Sequence, residues 1–566
     1  MKFRSFLLTL ITFSIIFLAI FGVSLNWLLQ ESPLLYKDGG VVKTPTAAKF
    51  IPKQAPVVAS LVVDVERLEA YRQLRAPLRI RSRSRQELDR LKSQFLASRQ
   101  LDYDQDIKAW LGEEVTLAVT ALDFDRDRAN GVQPGYLLVT TTDDEELARE
   151  FLQAYYSRQA VSPNTDLVFE RYKGVNITYR RPLQKNPDPN AGALASAVVG
   201  NHVLFANHPK VLREAINNVQ VPTLSLEQAI PYQKAQKTIT NPRIGQLYLN
   251  LPAVAAWIAE QPALPLQDNQ PTLTAGFSLT PDGLTAQTAL LGVGGEENRN
   301  PALSQPVNAL NYLPENSVLT AAGVDLNQLW NSLNDLAVDE STATLIQQLA
   351  SGLQQRFGIS IPDQIFPWVK GEYAVALLPQ DDQKPGDWVF VGEEVEDTEV
   401  KNTIKQLDEQ AKEGGYSVGN LNLANQKVTA WTVIQPVSQV DFNPKEKPVQ
   451  LNAEVKGVHS EIDHYQVLGT SLEAIAQAIQ KGETSLVNSE AFQRAIAPLP
   501  TANDGYFYLD WEKSQPLLEQ QFPLIRVVEL AGKPLFDHLQ VLSLASEGTE
   551  DGVRKATLFL QLTSRR

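Results

Sequence analysis

The side chains able to carry chemistry are few and scattered. Histidine occurs five times, as His202, His208, His459, His464 and His538. No two of them have the His-Glu-x-x-His spacing that places two imidazoles and a general base on one helical face around zinc. The chain has no cysteine, which excludes thiolate metal sites, cysteine nucleophiles and disulfides. No Gly-x-Ser-x-Gly elbow presents a nucleophilic serine, and no Gly-x-x-x-x-Gly-Lys-Ser/Thr loop is present to cradle phosphate. Gly292, Gly294 and Gly295 lack the strand and helix that a nucleotide-binding turn requires and read as linker. The expectation is therefore a protein without catalytic, metal-binding or cofactor-binding residues.

Two acidic runs come nearest to a metal site. Asp102, Asp104 and Asp106 alternate, as do Asp123, Asp125 and Asp127. Alternating carboxylates can converge on calcium, which takes oxygen ligands, but the EF-hand loop also wants Gly at its sixth position and Glu at its twelfth. Counted from Asp123 those positions hold Arg128 and Pro134, and counted from Asp102 they hold Ile107 and Glu113. The runs read as solvated loops.

A basic segment stands out more sharply. Arg72, Arg75, Arg79, Arg81, Arg83, Arg85, Arg90, Lys92 and Arg99 crowd one stretch of a chain whose formal charge is −14. Leu74, Leu78, Leu88, Leu91 and Phe95 give that stretch an apolar side. Each cation near an anionic surface contributes about 1 kcal/mol. Contact with anionic lipid or with an acidic protein partner is one reading of these nine residues. The other is a solvated helical face on which Glu87 and Asp89 pair locally. The acidic balance of the whole chain argues against nucleic acid as a partner, because phosphate must be met by cations.

The N-terminus says where these residues would act. Lys2 and Arg4 precede residues 5–29, which carry no charge. About 25 residues at roughly 1.5 Å rise span about 37 Å, enough for a bilayer core with some tilt. The run is longer than a signal-peptide core and ends without a small-x-small cleavage site. Trp27 suits an interface. The segment reads as an uncleaved signal-anchor, with the N-terminus cytoplasmic and the bulk exported.

A long-period repeat sets the architecture. Gly245-Gln246-Leu247-Tyr248-Leu249-Asn250 matches Gly505-Tyr506-Phe507-Tyr508-Leu509-Asp510 at an offset of 505 − 245 = 260. Phe50-Ile51-Pro52 matches Tyr312-Leu313-Pro314, and Trp110-Leu111-Gly112-Glu113 matches Trp368 to Glu372. His202-Val203-Leu204-Phe205 aligns with the stretch from His464 to Leu468. Such a series in constant order indicates duplication. Alternating runs predict strands at Val57–Val63, Val115–Thr120 and Tyr136–Thr141. Hairpins are predicted around Lys173-Gly174, Gly200-Asn201, Asp282-Gly283 and Asp551-Gly552. Asp143 is placed to cap a helix whose inner face is Leu147, Phe151, Leu152 and Tyr155, and Val400, Ile404, Leu407 and Ala411 line its counterpart. Pro209 opens a further helix with Val211, Ala215, Ile216 and Val219 inward. Arg67 to Gln100 reads as helical, with a break near Pro77. Trp110, Trp257, Trp330, Trp368 and Trp511 either fill cores or line an apolar pocket.

The expected fold class is α+β: two tandem homologous domains with largely antiparallel sheets and packed helices, preceded by one transmembrane helix. The boundaries are 1–30 for the anchor, 31–49 for a tether, 50–292 for the first repeat, 293–311 for a linker and 312–566 for the second. The anchor, the Phe-Ile-Pro and Tyr-Leu-Pro openings and the Val-Asp strand ends at Asp64 and Asp325 form a pattern with Tyr172 to Val175 and Asn207-His208-Pro209. In this the chain resembles a DUF3352-like family, uncharacterised membrane-anchored proteins common in cyanobacteria. The resemblance implies a periplasmic or thylakoid-lumenal location and supplies no catalytic residues. The expected function is a non-catalytic, membrane-tethered interaction or assembly protein. The alternative is a binding module for a hydrophobic or lipidic ligand.

Overall fold

Strand and turn chemistry explain the elements directly. Leu111 to Ala121 alternates inward and outward side chains along most of its length, the mark of a strand with two unlike faces. Lys173 and Gly174 both take positive φ, as do Ala424 and Asn425, and Asp551 and Gly552. Positive φ at both central residues belongs to the two-residue hairpin turn that matches strand twist. The computed structural model describes residues 40–63, 102–127, 132–159, 165–182, 194–258, 270–280, 283–292, 303, 305–327, 330–331, 361–380, 386–395, 397–436, 451–480, 484–521, 536 and 539–562. The anchor at 5–29, residues 31–39 of the tether, the arginine-rich segment from Arg72 to Arg99 and most of the linker lie outside the described residues. Among the described residues no helix is long and apolar enough to cross a membrane.

The residues up to 291 form β1 (Val57–Leu61), β2 (Leu111–Ala121), β3 (Gly135–Thr142), α1 (Glu145–Gln159), β4 (Thr165–Tyr172), β5 (Val175–Pro182), β6 (Ala195–Val199) and β7 (His202–Ala206). Then follow α2 (Pro209–Gln220), α3 (Ile230–Thr238), β8 (Gly245–Asn250), α4 (Leu251–Ile258), β9 (Thr272–Thr280) and β10 (Gly283–Leu291). The later residues form β11 (Leu319–Val324), α5 (Ile361–Gln364), β12 (Glu372–Leu378), β13 (Asp387–Glu393), α6 (Asp397–Glu413), β14 (Ser417–Leu423), β15 (Gln426–Pro436) and β16 (Leu451–Ile462). They close with β17 (Tyr465–Gly469), α7 (Leu472–Ile479), α8 (Glu490–Ile496), β18 (Gly505–Asp510), α9 (Trp511–Gln521), β19 (Leu539–Glu550) and β20 (Val553–Leu562).

These strands make one antiparallel sheet. The first ten pair in the order β4-β5-β6-β7-β3-β2-β1-β8-β9-β10. The second ten pair in the matching order β14-β15-β16-β17-β13-β12-β11-β18-β19-β20. The last strands of the two sets, β10 and β20, pair with each other from Gly283↔Gln561 to Leu291↔Val553. The two halves therefore share a sheet, and Leu61, Leu279, Leu284, Leu377, Leu509 and Leu560 sit in one core cluster drawn from both. The fold is mixed helix and sheet, as the sequence predicts.

Helices cover both faces. On β7, Leu204 packs with Leu212 and Ile216 of α2, whereas Val203 packs with Phe151 and Tyr155 of α1. Adjacent strand residues point to opposite faces, so α1 and α2 sandwich the sheet. In the same way α7 packs against Val389 and Val391, and α6 packs against Phe390.

Details depart from expectation where local signals are degenerate. Asp144 caps α1, accepting from the Glu146 and Leu147 amides at 2.9 and 3.0 Å; Asp143 does not. Leu147 is exposed, and Ala148 and Tyr156 take the inner face with Phe151, Leu152 and Tyr155. Thr46–Lys49 and Asn308–Tyr312, assigned wholly or partly to tether and linker, are 3-10 helices with Ala47, Ala48, Ala309 and Leu310 buried. They dock because a glutamate of the sheet, buried Glu114 for the first and half-buried Glu372 for the second, accepts from backbone amides of their first turn.

Candidate functional site

The most developed polar constellation lies where those 3-10 helices meet the sheet. Glu114 on β2 is 7% exposed and its carboxylate is saturated. Oε2 accepts from the Thr46 amide at 2.8 Å and the Thr46 hydroxyl at 2.6 Å, while Oε1 accepts from the Ala47 amide at 2.9 Å and the Thr116 hydroxyl at 3.1 Å. The Thr46 Oγ1 lies 2.9 Å from Nε2 of His202. Because that hydroxyl gives its proton to Glu114, Nε2 must be the donor, and His202 is the neutral Nε2–H tautomer. Its Nδ1 is buried without a hydrogen-bond partner. Burial, seconded by the charge of Lys49, depresses the imidazole from 6.5 to about 4.

The later half repeats the device with other letters. Glu372 on β12 accepts from the Ala309 amide at 3.0 Å, the Asn308 side chain at 3.3 Å and the Tyr465 hydroxyl at 2.9 Å. Burial, and then the adjoining Glu372, push the Tyr465 phenol upward. The ring of Tyr465 lies 5.0 Å from that of Tyr312, as His202 lies 5.0 Å from Phe50. Tyr465 is thus the counterpart of His202. His464, paired with His202 by sequence, occupies the turn between β16 and β17, the place of Asn201 between β6 and β7. The carboxylate was legible: counted from Trp110 and Trp368, a glutamate stands four residues on in both halves.

The remaining histidines have local duties. Nδ1 of His208 accepts from the Lys210 amide at 3.1 Å and caps α2. Burial, then Lys210, lowers its pKa. His459 on β16 places Nε2 3.0 Å from Oδ1 of Asp408 on α6, an oxygen that also accepts from Trp431 Nε1 at 2.7 Å. Burial pushes the Asp408 carboxyl up, but the bonds from His459 and Trp431 outweigh it and hold the group below its ordinary value. His538 lies outside the described residues.

The acidic runs are spent on structure. Asp102 Oδ1 accepts from the Gln105 amide at 2.9 Å, and Asp106 pairs with Arg158 at 2.8 Å. Asp125 Oδ1 accepts from the Asp127 amide at 3.0 Å. Trp110, Trp257, Trp368 and Trp511 are buried in core clusters, and Trp330 packs edge-on to Phe366. Arg72, Arg75, Arg79, Arg81, Arg83, Arg85, Arg90, Lys92 and Arg99 lie outside the described residues.

The two carboxylate hubs can do one thing with this geometry. They tie a segment that precedes each half to the sheet, and no lone pair of Glu114 remains for a substrate. A family model described as a protein of unknown function (DUF3352) matches residues 10–562. Comparison with curated proteins and with solved structures gives none.

Proposed function

Since the chain belongs to the DUF3352 family of proteins of unknown function, we propose from its geometry that it is a non-catalytic, membrane-tethered interaction protein that works outside the cytoplasm and docks a partner segment by strand addition. The anchor reading of residues 5–29 and the flanking Lys2 and Arg4 support the tether. The observation that carries the docking mode is β14. Among the described residues this strand pairs on one side only, with β15. Its seven residues, Ser417 to Leu423, include no charge and no proline. Proteins ordinarily blunt such an edge with Lys, Pro or a bulge. The opposite edge is blunted in this way, since β4 carries Asp166, Glu170 and Arg171. An open edge with apolar Val418, Leu421 and Leu423 suits an extended peptide that adds main-chain hydrogen bonds and seats alternate side chains. The arginine-rich segment adds a second contact, to anionic lipid or an acidic surface. Trp110, Trp257 and Trp511 give less support to a hydrophobic-ligand pocket, because they are spent on core packing.

Affinity capture of the full chain from its native membranes tests this, with p-benzoylphenylalanine at Val418 as the photo-crosslinker. A reproducible crosslinked protein is expected, and Gly419→Lys should remove it. A Cβ at Gly419 meets nothing within 4 Å, so this variant charges the edge without a clash. Equal crosslinking in Gly419→Lys, or none in the parent, rejects the edge as the docking surface.

A further inference from the structure

The matching strand orders allow the two halves to be compared residue by residue, and they differ most over one tryptophan. Trp110 and Trp368 stand four residues before Glu114 and Glu372, so they are counterparts. In the first half the site is closed. Phe151 of α1 stacks on Trp110 with ring centroids 5.1 Å apart. The indole Nε1 of Trp110 donates to the Asp106 carbonyl at 2.8 Å. Arg158 of α1 pairs with the Asp106 carboxylate at 2.8 Å and draws the helix down.

In the second half each of these parts is changed. Buried Ala148 and Leu152 of α1 correspond to Val400 and Ile404 of α6, a constant offset of 252. The same offset puts Thr403 in the place of Phe151 and Gln410 in the place of Arg158. Counting back four from each tryptophan puts Gln364 in the place of Asp106. The ion pair has become an amide pair, Gln364 Nε2 to Gln410 Oε1 at 3.1 Å. The stacked ring is gone, and a cleft of about 120 Å³ is open between α5 and α6, with Asp363, Gln364, Trp368, Thr403, Gln406 and Gln410 among its lining residues. Trp368 is 2% exposed and its Nε1 is buried without a partner, as is Gln364 Oε1.

We propose that this cleft binds the hydroxyl-bearing edge of a neutral sugar or polyol. The lining residues carry one unpaired buried donor and one unpaired buried acceptor, and a hydroxyl is the smallest group that both accepts and donates. No Lys or Arg lines the cleft to meet an anion, and its one carboxylate, Asp363, already has a partner. The volume is close to that of an engineered cavity of roughly 150 Å³ that admits one six-membered ring. Thr403, Gln406 and Gln410 add the side-chain donors and acceptors that a polyhydroxylated ligand uses for orientation. This proposal does not depend on the edge-strand reading.

The test uses the full chain labelled with 5-fluorotryptophan, in a detergent without a sugar headgroup. The eight tryptophans give resolvable fluorine signals, and loss of one in Trp368→Phe assigns it. Methyl β-D-glucopyranoside, methyl β-D-galactopyranoside and glycerol are the probes. A saturable shift of the Trp368 signal by at least one probe is expected. Thr403→Phe, which restores the ring of the first half, should weaken that response by about tenfold or more, the equivalent of about 1.4 kcal/mol. Gln364→Leu serves as a second variant with the same expectation. Unmoved signals from the other tryptophans establish that each variant is folded. No shift with any probe means that the cleft holds water alone and overturns the proposal. So does an equal shift in Thr403→Phe or Gln364→Leu. Nanodiscs with and without a glycosyl diacylglycerol then separate the sources. A shift from the lipid without added sugar identifies a headgroup, and a shift from the soluble probes alone identifies a free saccharide.

Discussion

Acid should weaken this protein through His202 well before its carboxylates are protonated. The native imidazole titrates at about 4 because burial disfavours its charged form, while an unfolded histidine titrates near 6.5. Below about pH 6.5 the unfolded chain therefore takes up a proton that the native site refuses, and proton binding favours unfolding. Stability from this source is complete above about pH 6.5, falls as the pH drops, and stops falling near pH 4. The difference of 6.5 − 4 = 2.5 corresponds to about 3 kcal/mol over that window. The geometry explains the sign. Nε2 already carries the hydrogen directed at Thr46, so the added proton must go to Nδ1, which has no acceptor beside it. The informative variant is His202→Tyr, which installs the residue that the second half uses against Glu372. A tyrosine hydroxyl can donate to Thr46 Oγ1 in place of Nε2–H, as Tyr465 donates to Glu372 at 2.9 Å, and it does not titrate in this range. Urea unfolding of parent and variant from pH 4 to pH 7 should show a stability difference that shrinks or reverses in the variant's favour by about 3 kcal/mol toward pH 4. Parallel pH profiles for the two proteins would falsify the assignment of His202 as a buried neutral imidazole.

Three other perturbations probe the same frame. Glu114→Ala strips the acceptor from the Thr46 and Ala47 amides and the Thr116 hydroxyl; exposed Thr46 can turn to water, so the two buried groups should cost about 2–6 kcal/mol at about 1–3 kcal/mol each. A urea midpoint within error of the parent would remove the hub as a structural tie. Gly283→Ala would drive its Cβ into the Leu560 carbonyl oxygen at the join between β10 and β20, and overpacking of this kind costs about 1–3 kcal/mol. Amide exchange should accelerate selectively in β10 and β20, and unchanged protection there would count against a tight join. Asp408→Ala leaves the Trp431 indole and His459 without their shared acceptor, with an expected loss of about 2 kcal/mol. Because Asp408 is held below its ordinary value, the stability it contributes is complete above the unfolded carboxyl's pKa of about 3.9 and is lost only as the pH falls further. Parent and variant should therefore converge in acid, and a constant gap down to pH 2 would argue against the pair.

The elements were written in the sequence because their causes are local. Alternation from Leu111 to Ala121, the two-residue turns at Lys173-Gly174 and Asp551-Gly552, and the inward row Val400, Ile404, Leu407 and Ala411 depend on neighbours a few residues away. The join of β10 to β20 depends on residues 268 apart, such as Thr288 and Ala556, and no periodicity encodes a pairing of that range. Register was the other casualty. Matching His202 to His464 by letter slips the strand by one residue, and a one-residue slip sends every side chain to the wrong face. Tyr465 belongs in that place because it shares the inner face with Val467, not because it resembles histidine. The cap on α1 was missed for a simpler reason: Asp143 and Asp144 have equal propensity, and only the placed backbone chooses between them.

Once one frame is used twice, each substitution within it becomes a controlled comparison, and the two faces of the sheet give different results. On the face covered by α2 and α7, exchange is compensated. Thr46 gives way to Asn308 and His202 to Tyr465, yet a glutamate still receives the first amide groups of the 3-10 helix. On the face covered by α1 and α6 it is not. The exchange of Phe151 for Thr403 and of Asp106 for Gln364 leaves the Trp368 indole N–H buried and unpaired, a state that costs about 1–3 kcal/mol. Tyr156 is similarly replaced by Asp408, which reaches across to His459 and Trp431 instead of filling space. The frame itself gains nothing from that cost, since the first half shows the closed and fully bonded alternative on the same backbone plan. A group that supplied an acceptor to Trp368 would recover the lost energy in the bound state alone. The uncompensated face of the second half is therefore where binding can be coupled to stability, and the compensated face is where the fold is held.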